Sequence, residues 1–344
     1  MTARNNLIKF LHIGDYKTGT TWLQQNIFRS NSKIKLIGEG EDEVGIQLWA
    51  ALENLIYADK IDIDKWRQEF FELIYRYEDS DKTIYGISRE SLISGNPFHF
   101  HDWKRSAERL HSAFGPIKII ITFREQSSLL TSLYSTFVKN GGIMTIEDLY
   151  LDSKQFKAFL DRLDYHQIAA YYQKIFHINN CLFLTFNELC TDQNSYIQKI
   201  YNFIGVVPPL LKVIDSISTP NKSLTEGALK FHRIMNRGVR SVFNKKDTQS
   251  LIEQVIIKII RIFGNSKYKL QSRRNNYLWP EVKLHTGANY SIENVRYISG
   301  IRIVSEHITC GKKIKLPIKV KKALNNHIKL SNNKLKNDFA IDLS

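Results

Sequence analysis

At 344 residues, with 43% hydrophobic and 12% aromatic content, the chain has enough apolar material for the core of one large α/β domain or two smaller ones, which excludes a disordered or fibrous chain. Its formal net charge of +15 calls for an anionic partner: nucleic acid, an acidic membrane surface, a polyanionic glycan or a nucleotide. The scattered Cys181, Cys190 and Cys310 make neither a metal spacing nor a disulfide framework, so ordinary packing in a reducing compartment is expected.

The chain opens on an apolar run at residues 7–13, which reads as a buried strand ending at Gly14. Residues 15–19 form a loop, and 20–30 read as a helix with Trp22, Leu23, Ile27 and Phe28 on its apolar side. Strand, glycine-bearing loop and helix start make an anion site, with Lys17 adding a full charge and Thr18, Thr20 and Thr21 adding hydroxyls. The nucleotide-triphosphate pattern GxxxxGK[ST] is not met, because Lys17 precedes Gly19. The order Lys17-Thr18-Gly19-Thr20-Thr21-Trp22 resembles instead the 5′-phosphosulfate loop of sulfotransferases that use 3′-phosphoadenosine 5′-phosphosulfate (PAPS). The bland alternative is a tight strand–helix turn that happens to carry a lysine.

Residues 33–37 read as a short strand, and 44–57 and 64–77 as helices whose aromatic residues belong to the core. Residues 83–88 are a second central strand that delivers Arg89 and Glu90 at its carboxyl end, where ligands of open parallel sheets bind. A carboxylate there can take the proton of an attacking hydroxyl, and in sulfotransferases a glutamate or histidine near this point does so. Glu90 is the first candidate base, against a plain surface pairing with Arg89; His99 and His101 are the fallback bases, and no third ligand nearby makes them a metal pair.

Residues 102–114 read as a helix ended by Gly115-Pro116, 117–123 as the strongest strand, and 127–139 as a helix closed by Gly141-Gly142. Arg124 ends that strand and Ser132 follows eight residues later. Sulfotransferases bind the 3′-phosphate of PAPS with an arginine and a serine at this spacing. A guanidinium fork and a helix-borne hydroxyl suit that role. The family's usual Asn-Pro or Asp-Pro after the arginine is replaced by Glu125-Gln126.

A connector with a short helical piece covers 145–152, a long amphipathic helix is expected at 156–176, and a buried strand at 181–186. Glu188 then reads as structural, ahead of a helix at 195–203. Pro208-Pro209 marks a boundary, and Lys222 precedes a helix at 225–237, where it either helps hold the nucleotide phosphate or is simply solvated. From 244 the composition turns rich in Lys, Asn and Ile. Residues 316–339 read as a helix with Pro317 in its first turn and Lys319, Lys321, Lys322, Lys329, Lys334 and Lys336 along it. Its ending resembles the C-terminal helix of bacterial glycan-directed sulfotransferases. No stretch reaches membrane-span length; the best, 251–263, is short and broken by Glu253, Lys258 and Arg261, and the first strand begins too early for a leader.

The fold expected is α/β: a P-loop-like three-layer arrangement with a central parallel sheet flanked by helices, plus a largely helical C-terminal extension. Residues 1–237 would be the PAPS-binding core and 238–344 a basic extension packed on it. The resemblance implies a cytoplasmic sulfotransferase of the bacterial carbohydrate branch, with a carbohydrate or glycolipid acceptor, 3′-phosphoadenosine 5′-phosphate (PAP) as the released product, and neither metal nor nucleic acid. Lys17 would neutralise the leaving phosphate and Glu90 serve as base. Peripheral contact of the lysine-rich helix with an anionic membrane surface is a lesser option than plain solvation. The alternatives are a P-loop-like nucleoside or sugar kinase and a non-catalytic polyanion-binding protein.

Overall fold

The computed structural model describes residues 7–38, 43–76, 84–94, 102–152, 160–208, 224–237 and 312–343. Its centre is a sheet of five parallel strands, β1 (Ile8–His12), β2 (Ile34–Leu36), β3 (Ile84–Ser88), β4 (Lys118–Phe123) and β5 (Cys181–Thr185), in the order β2-β3-β1-β4-β5. Strands covered on both faces can be apolar throughout, which is why these segments read as continuous hydrophobic runs. Successive side chains then part company. Leu11, Ile13, Ile119 and Ile121 enter one core cluster, while Phe10 and Ile120 enter the other.

The first cluster is filled by α2 (Glu43–Tyr57), α3 (Ile63–Arg76), α5 (Trp103–Phe114) and α7 (Tyr165–Phe176), with the four-residue α4 (Ser91–Ser94) beside them. The second takes Trp22 and Leu23 of α1 (Thr20–Leu23), Ile27 and Phe28 of the turn that follows it, Leu189 of α8 (Phe186–Thr191), and five residues of α9 (Gln193–Ile204). Three layers result, with the sheet in the middle.

Several expected boundaries move. The helix expected at 20–30 keeps α winding only for Thr20–Leu23 and widens into a π turn at Gln24–Phe28. The long helix expected at 156–176 is interrupted: a 3-10 turn, Asp161–Leu163, precedes Asp164, whose carboxylate accepts the Gln167 N–H at 3.0 Å and starts α7 afresh. Residues 156–159 lie outside the described residues. The final helix, α11, runs Ile318–Phe339, and Pro317 stands just ahead of it, its carbonyl accepting the Lys321 N–H at 2.8 Å.

Two units divide the chain, with boundaries inside α6 (Gln126–Lys139) and α11. The first holds residues 1–129, 154–218 and 322–344, and so contains the whole sheet. Leu335 of α11, with Ile341 and Leu343 beyond it, belongs to that unit's core, while Lys322, Lys329, Lys334 and Lys336 face solvent. The second unit holds 130–153 and 219–321. There the Asn236 amide, on α10 (Glu226–Asn236), donates to the carbonyls of Val138 at 2.7 Å and Gly142 at 2.9 Å, and Thr225 bridges Lys313. Residues 238–311, most of the expected extension, lie outside the described residues. Among the described residues no helix is long and apolar enough to cross a membrane.

Candidate functional site

The chain runs from β1 to β2 and β3 on one side, then returns to β4 and β5 on the other, so the switch point lies between β1 and β4. Ligands of open α/β sheets bind in the crevice beyond the strand ends at such a point. Both sequence signals meet there: the loop after β1 and Arg124 after β4.

The loop is built from β1 outward. Ile13 N–H donates to Ile120 O at 3.0 Å and Asp15 N–H to Thr122 O at 3.4 Å, so the chain follows β4 for three residues past the strand. Positive φ at Lys17 (64°) and Gly19 (87°) then reverses it into α1. Glycine is favoured at 19 because its φ of 87° strains any residue with a Cβ, which would also stand 2.8 Å from Leu189 Cδ2. Thr18 is fully buried and its hydroxyl donates to Asp15 O at 2.5 Å, a bond that shapes the loop itself. Thr21 is exposed, Thr20 is buried beside Glu90, and Trp22 packs in the second core cluster. With α winding lasting four residues, the macrodipole contributes little. The positive potential rests on the lysine and on Arg124.

Arg124 is fastened to that loop. Its Nη1 donates to Lys17 O at 2.6 Å, its Nε and Nη2 donate to Ser128 Oγ at 3.0 and 2.8 Å, and its guanidinium lies 4.6 Å above the Phe186 ring. Tyr165 OH donates to the Arg124 carbonyl at 3.1 Å. One cation therefore stiffens the Lys17 turn while ending the neighbouring strand. Glu125, in place of the family's Asn or Asp, accepts the N–H groups of Ser127 and Ser128 at 2.8 and 2.7 Å and starts α6. Ser132 stands further along α6, in the second unit.

Glu90 follows β3 and is half-buried. Burial lifts its carboxyl above the ordinary value; Lys17 and the Thr20 hydroxyl pull it down, Asp15 pushes it up and Arg162 pulls it down. The alternative reading, a surface pairing of Glu90 with Arg89, is not what the structure shows. Arg89 pairs with Glu53 of α2 and stacks 4.5 Å over Trp49, and Ser91 Oγ donates to the same Glu53 oxygen at 2.8 Å. Neighbours on both sides of Glu90 are thus tied to Glu53, while the charges that act on Glu90 itself are those of Lys17, Asp15 and Arg162. His99, His101 and Lys222 lie outside the described residues, and no group of acidic, histidine or cysteine residues among the described residues could hold a metal.

Sequence reasoning passed over three supports. Asp15 forms a buried ion pair with Arg162, Nη2 to Oδ1 2.7 Å. His12 shares a 2.8 Å hydrogen bond from Nδ1 with Ser88 Oγ, and burial lowers its pKa to about 4. Gln24 donates to Ser88 O at 2.8 Å. A charged or polar residue at the end of an apolar strand is the only hint the sequence offers for Asp15 and His12. Glu188, read as structural, pairs with Lys199 at 2.5 Å on the surface.

A sulfotransferase domain model matches residues 8–247. No curated protein matches the chain. Among solved structures, a sulfotransferase from Alicyclobacillus acidocaldarius is 16% identical over 60% of this chain and 85% of its own, with a TM-score of 0.42. The sulfotransferase domain of the curacin biosynthetic pathway is 11% identical over 59% and 75%, at 0.35. A mouse sulfotransferase complexed with PAP is 15% identical over 77% and 87%, at 0.32.

Proposed function

The chain belongs to the sulfotransferase family, and from that premise we propose that it moves a sulfuryl group from PAPS to a hydroxyl of a carbohydrate acceptor, a bacterial surface glycan or its precursor. The observation that carries this reading is the bond from Arg124 to the carbonyl of Lys17, which joins the two ends of a nucleotide site into one rigid piece. The donor set fits a bisphosphorylated nucleotide: an ammonium, a guanidinium, and the hydroxyls of Thr20 and Thr21, with Gly19 keeping the backbone close.

PAPS supplies an activated sulfuryl group and leaves as PAP. Lys17 holds the phosphate side and neutralises the charge that develops there as the bond to sulfur breaks. Arg124 takes the 3′-phosphate. Glu90 accepts the proton of the incoming hydroxyl, its raised pKa making it a stronger base than an exposed carboxylate. Lysine and guanidinium supply the positive potential, so the chemistry needs no metal. The carbohydrate acceptor and a cytoplasmic site of action belong to the same reading, supported by the resemblance; the exposed lysines of α11 are a solvated face, with docking on an anionic glycan or membrane the lesser option.

Labelled sulfate from PAPS should enter a surface-glycan fraction with the wild type, and Lys17→Ala should lower that rate by roughly 10²- to 10³-fold. Unchanged turnover in the variant overturns the mechanism. In thermal-shift titration PAP should stabilise the protein; stabilisation by ATP with magnesium alone would favour a kinase, and by polyanion alone a binding protein.

A further inference from the structure

We propose that Arg162 is a positioning residue for this transfer: paired with Asp15 beneath the loop, it holds the turn that carries Lys17 and balances the charge acting on Glu90. The inference rests on the function proposed above. Neither residue is needed to close the fold's hydrophobic layers, yet Asp15 is 1% exposed and Arg162 5%. A buried ion pair is weak evidence of stability, because an apolar pair of like volume serves as well. Its place in the molecule suggests another use.

Asp15 Oδ1 accepts both Arg162 Nη2 and the Tyr16 N–H, each at 2.7 Å, and the Asp15 carbonyl accepts the Thr18 hydroxyl. Residues on both sides of Lys17 are thereby anchored to Asp15, and Asp15 to Arg162. The guanidinium also lies 5.6 Å from the Tyr16 ring centre. Arg162 is itself held. Its turn, Asp161–Leu163, is bonded through Leu163 O to the Gln126 amide at 3.3 Å, and three residues after Arg162 the Tyr165 hydroxyl donates to Arg124 O. One short segment thus grips the Lys17 loop and the Arg124 strand end together, across 147 residues of sequence in the case of the ion pair.

The charges that act on Glu90 are Lys17, Asp15 and Arg162, with the Thr20 hydroxyl; Arg89 and Glu53 are paired with each other. Arg162 favours the Glu90 carboxylate and Asp15 disfavours it. Glu90 works as base only when ionised, so the acid limb of the pH–rate profile follows its pKa. Removing Arg162 should move that limb to higher pH, and removing the charge of Asp15 should move it to lower pH.

The test uses the full chain, labelled PAPS and a surface-glycan extract. Profiles of kcat and KM for PAPS against pH are taken for Arg162→Met, Arg162→Lys, Asp15→Asn and the double variant Asp15→Asn/Arg162→Met. The double variant keeps the buried charges balanced should the single ones fail to fold. Arg162→Met should shift the acid limb up, Asp15→Asn down, and Arg162→Lys should restore it. The double variant should bring the limb back near the wild-type pH yet lower kcat by about 10²-fold, as expected for a displaced reacting group. Acid limbs that stay at one pH throughout, or a double variant with wild-type kcat, would overturn the inference. A wild type that binds PAP and transfers sulfate beside such variants sinks this inference alone; a wild type that does neither sinks the proposed function with it.

Discussion

Replacing Arg124 by alanine separates two roles that the same guanidinium would play. Within the protein, Nη1 holds Lys17 O at 2.6 Å, a charge-assisted bond of about 1.5–3 kcal/mol, and the stack on Phe186 adds about 1 kcal/mol. Toward the nucleotide, the same group would make a forked contact with the 3′-phosphate, which at about 1.4 kcal/mol per tenfold is worth roughly 10² in affinity. Adenosine 5′-monophosphate lacks that phosphate and senses only the loosening of the Lys17 turn. Calorimetric titration of the wild type and Arg124→Ala should therefore show PAP weakened by about 10²-fold or more, and adenosine 5′-monophosphate by about tenfold at most. Equal losses for the two nucleotides would mean that Arg124 serves only the loop. A loss below about threefold for both would remove it from the site altogether.

His12 has a pKa near 4 in the folded protein against 6.5 in the unfolded chain, so the unfolded state takes up a proton first as pH falls. Stability present above pH 6.5 should be lost progressively down to about pH 4, by about 3 kcal/mol; urea denaturation of His12→Gln should show a slope flatter by that amount, and identical slopes would refute the assignment. At Gly86, in the middle of β3, an added Cβ would stand 2.7 Å from Phe10 Cε2 and closer still to Cζ and Cε1. Gly86→Ala should cost about 1–3 kcal/mol, and the double variant Phe10→Leu/Gly86→Ala should recover part of it; a Gly86→Ala protein as stable as wild type would count against the tight β1–β3 register. Leu335 is fully buried among core residues of the first unit, and Leu335→Ala should lower stability by about 2–5 kcal/mol in chemical denaturation; a loss under about 1 kcal/mol would show that α11 is only loosely attached.

Much of the molecule was legible before any coordinates. The strands stood out because a sheet covered on both faces needs uninterrupted apolar runs, and Ile117-Lys118-Ile119-Ile120-Ile121-Thr122-Phe123 is one. The Lys17 loop was legible as a strand, a glycine-bearing turn and a helix start that expose backbone N–H groups, and its order of residues, with Arg124 and Ser132, through the resemblance to sulfotransferases. The helix break at Asp164 was missed because Phe159, Leu160 and Leu163 continue the apolar spacing of Ile168 and Tyr172 past the point where a capping carboxylate stops the winding. The widening at Gln24–Phe28 left no trace in composition either, since Ile27 and Phe28 stay buried in both windings.

The sequence by itself determined the kinds of element, their order, the two core faces, and the residues that mark the anion loop, because each of these depends on neighbours within a turn or a strand. The tertiary structure alone decided the strand order that brings the Lys17 loop beside Arg124, the turning of Arg89 to Glu53, and the burial of Asp15 against Arg162. Those pairings join residues from 36 to 147 positions apart, and an ion pair has no period for a pattern to reveal. The choice among the many arginines available to one buried aspartate is made only when the layers close.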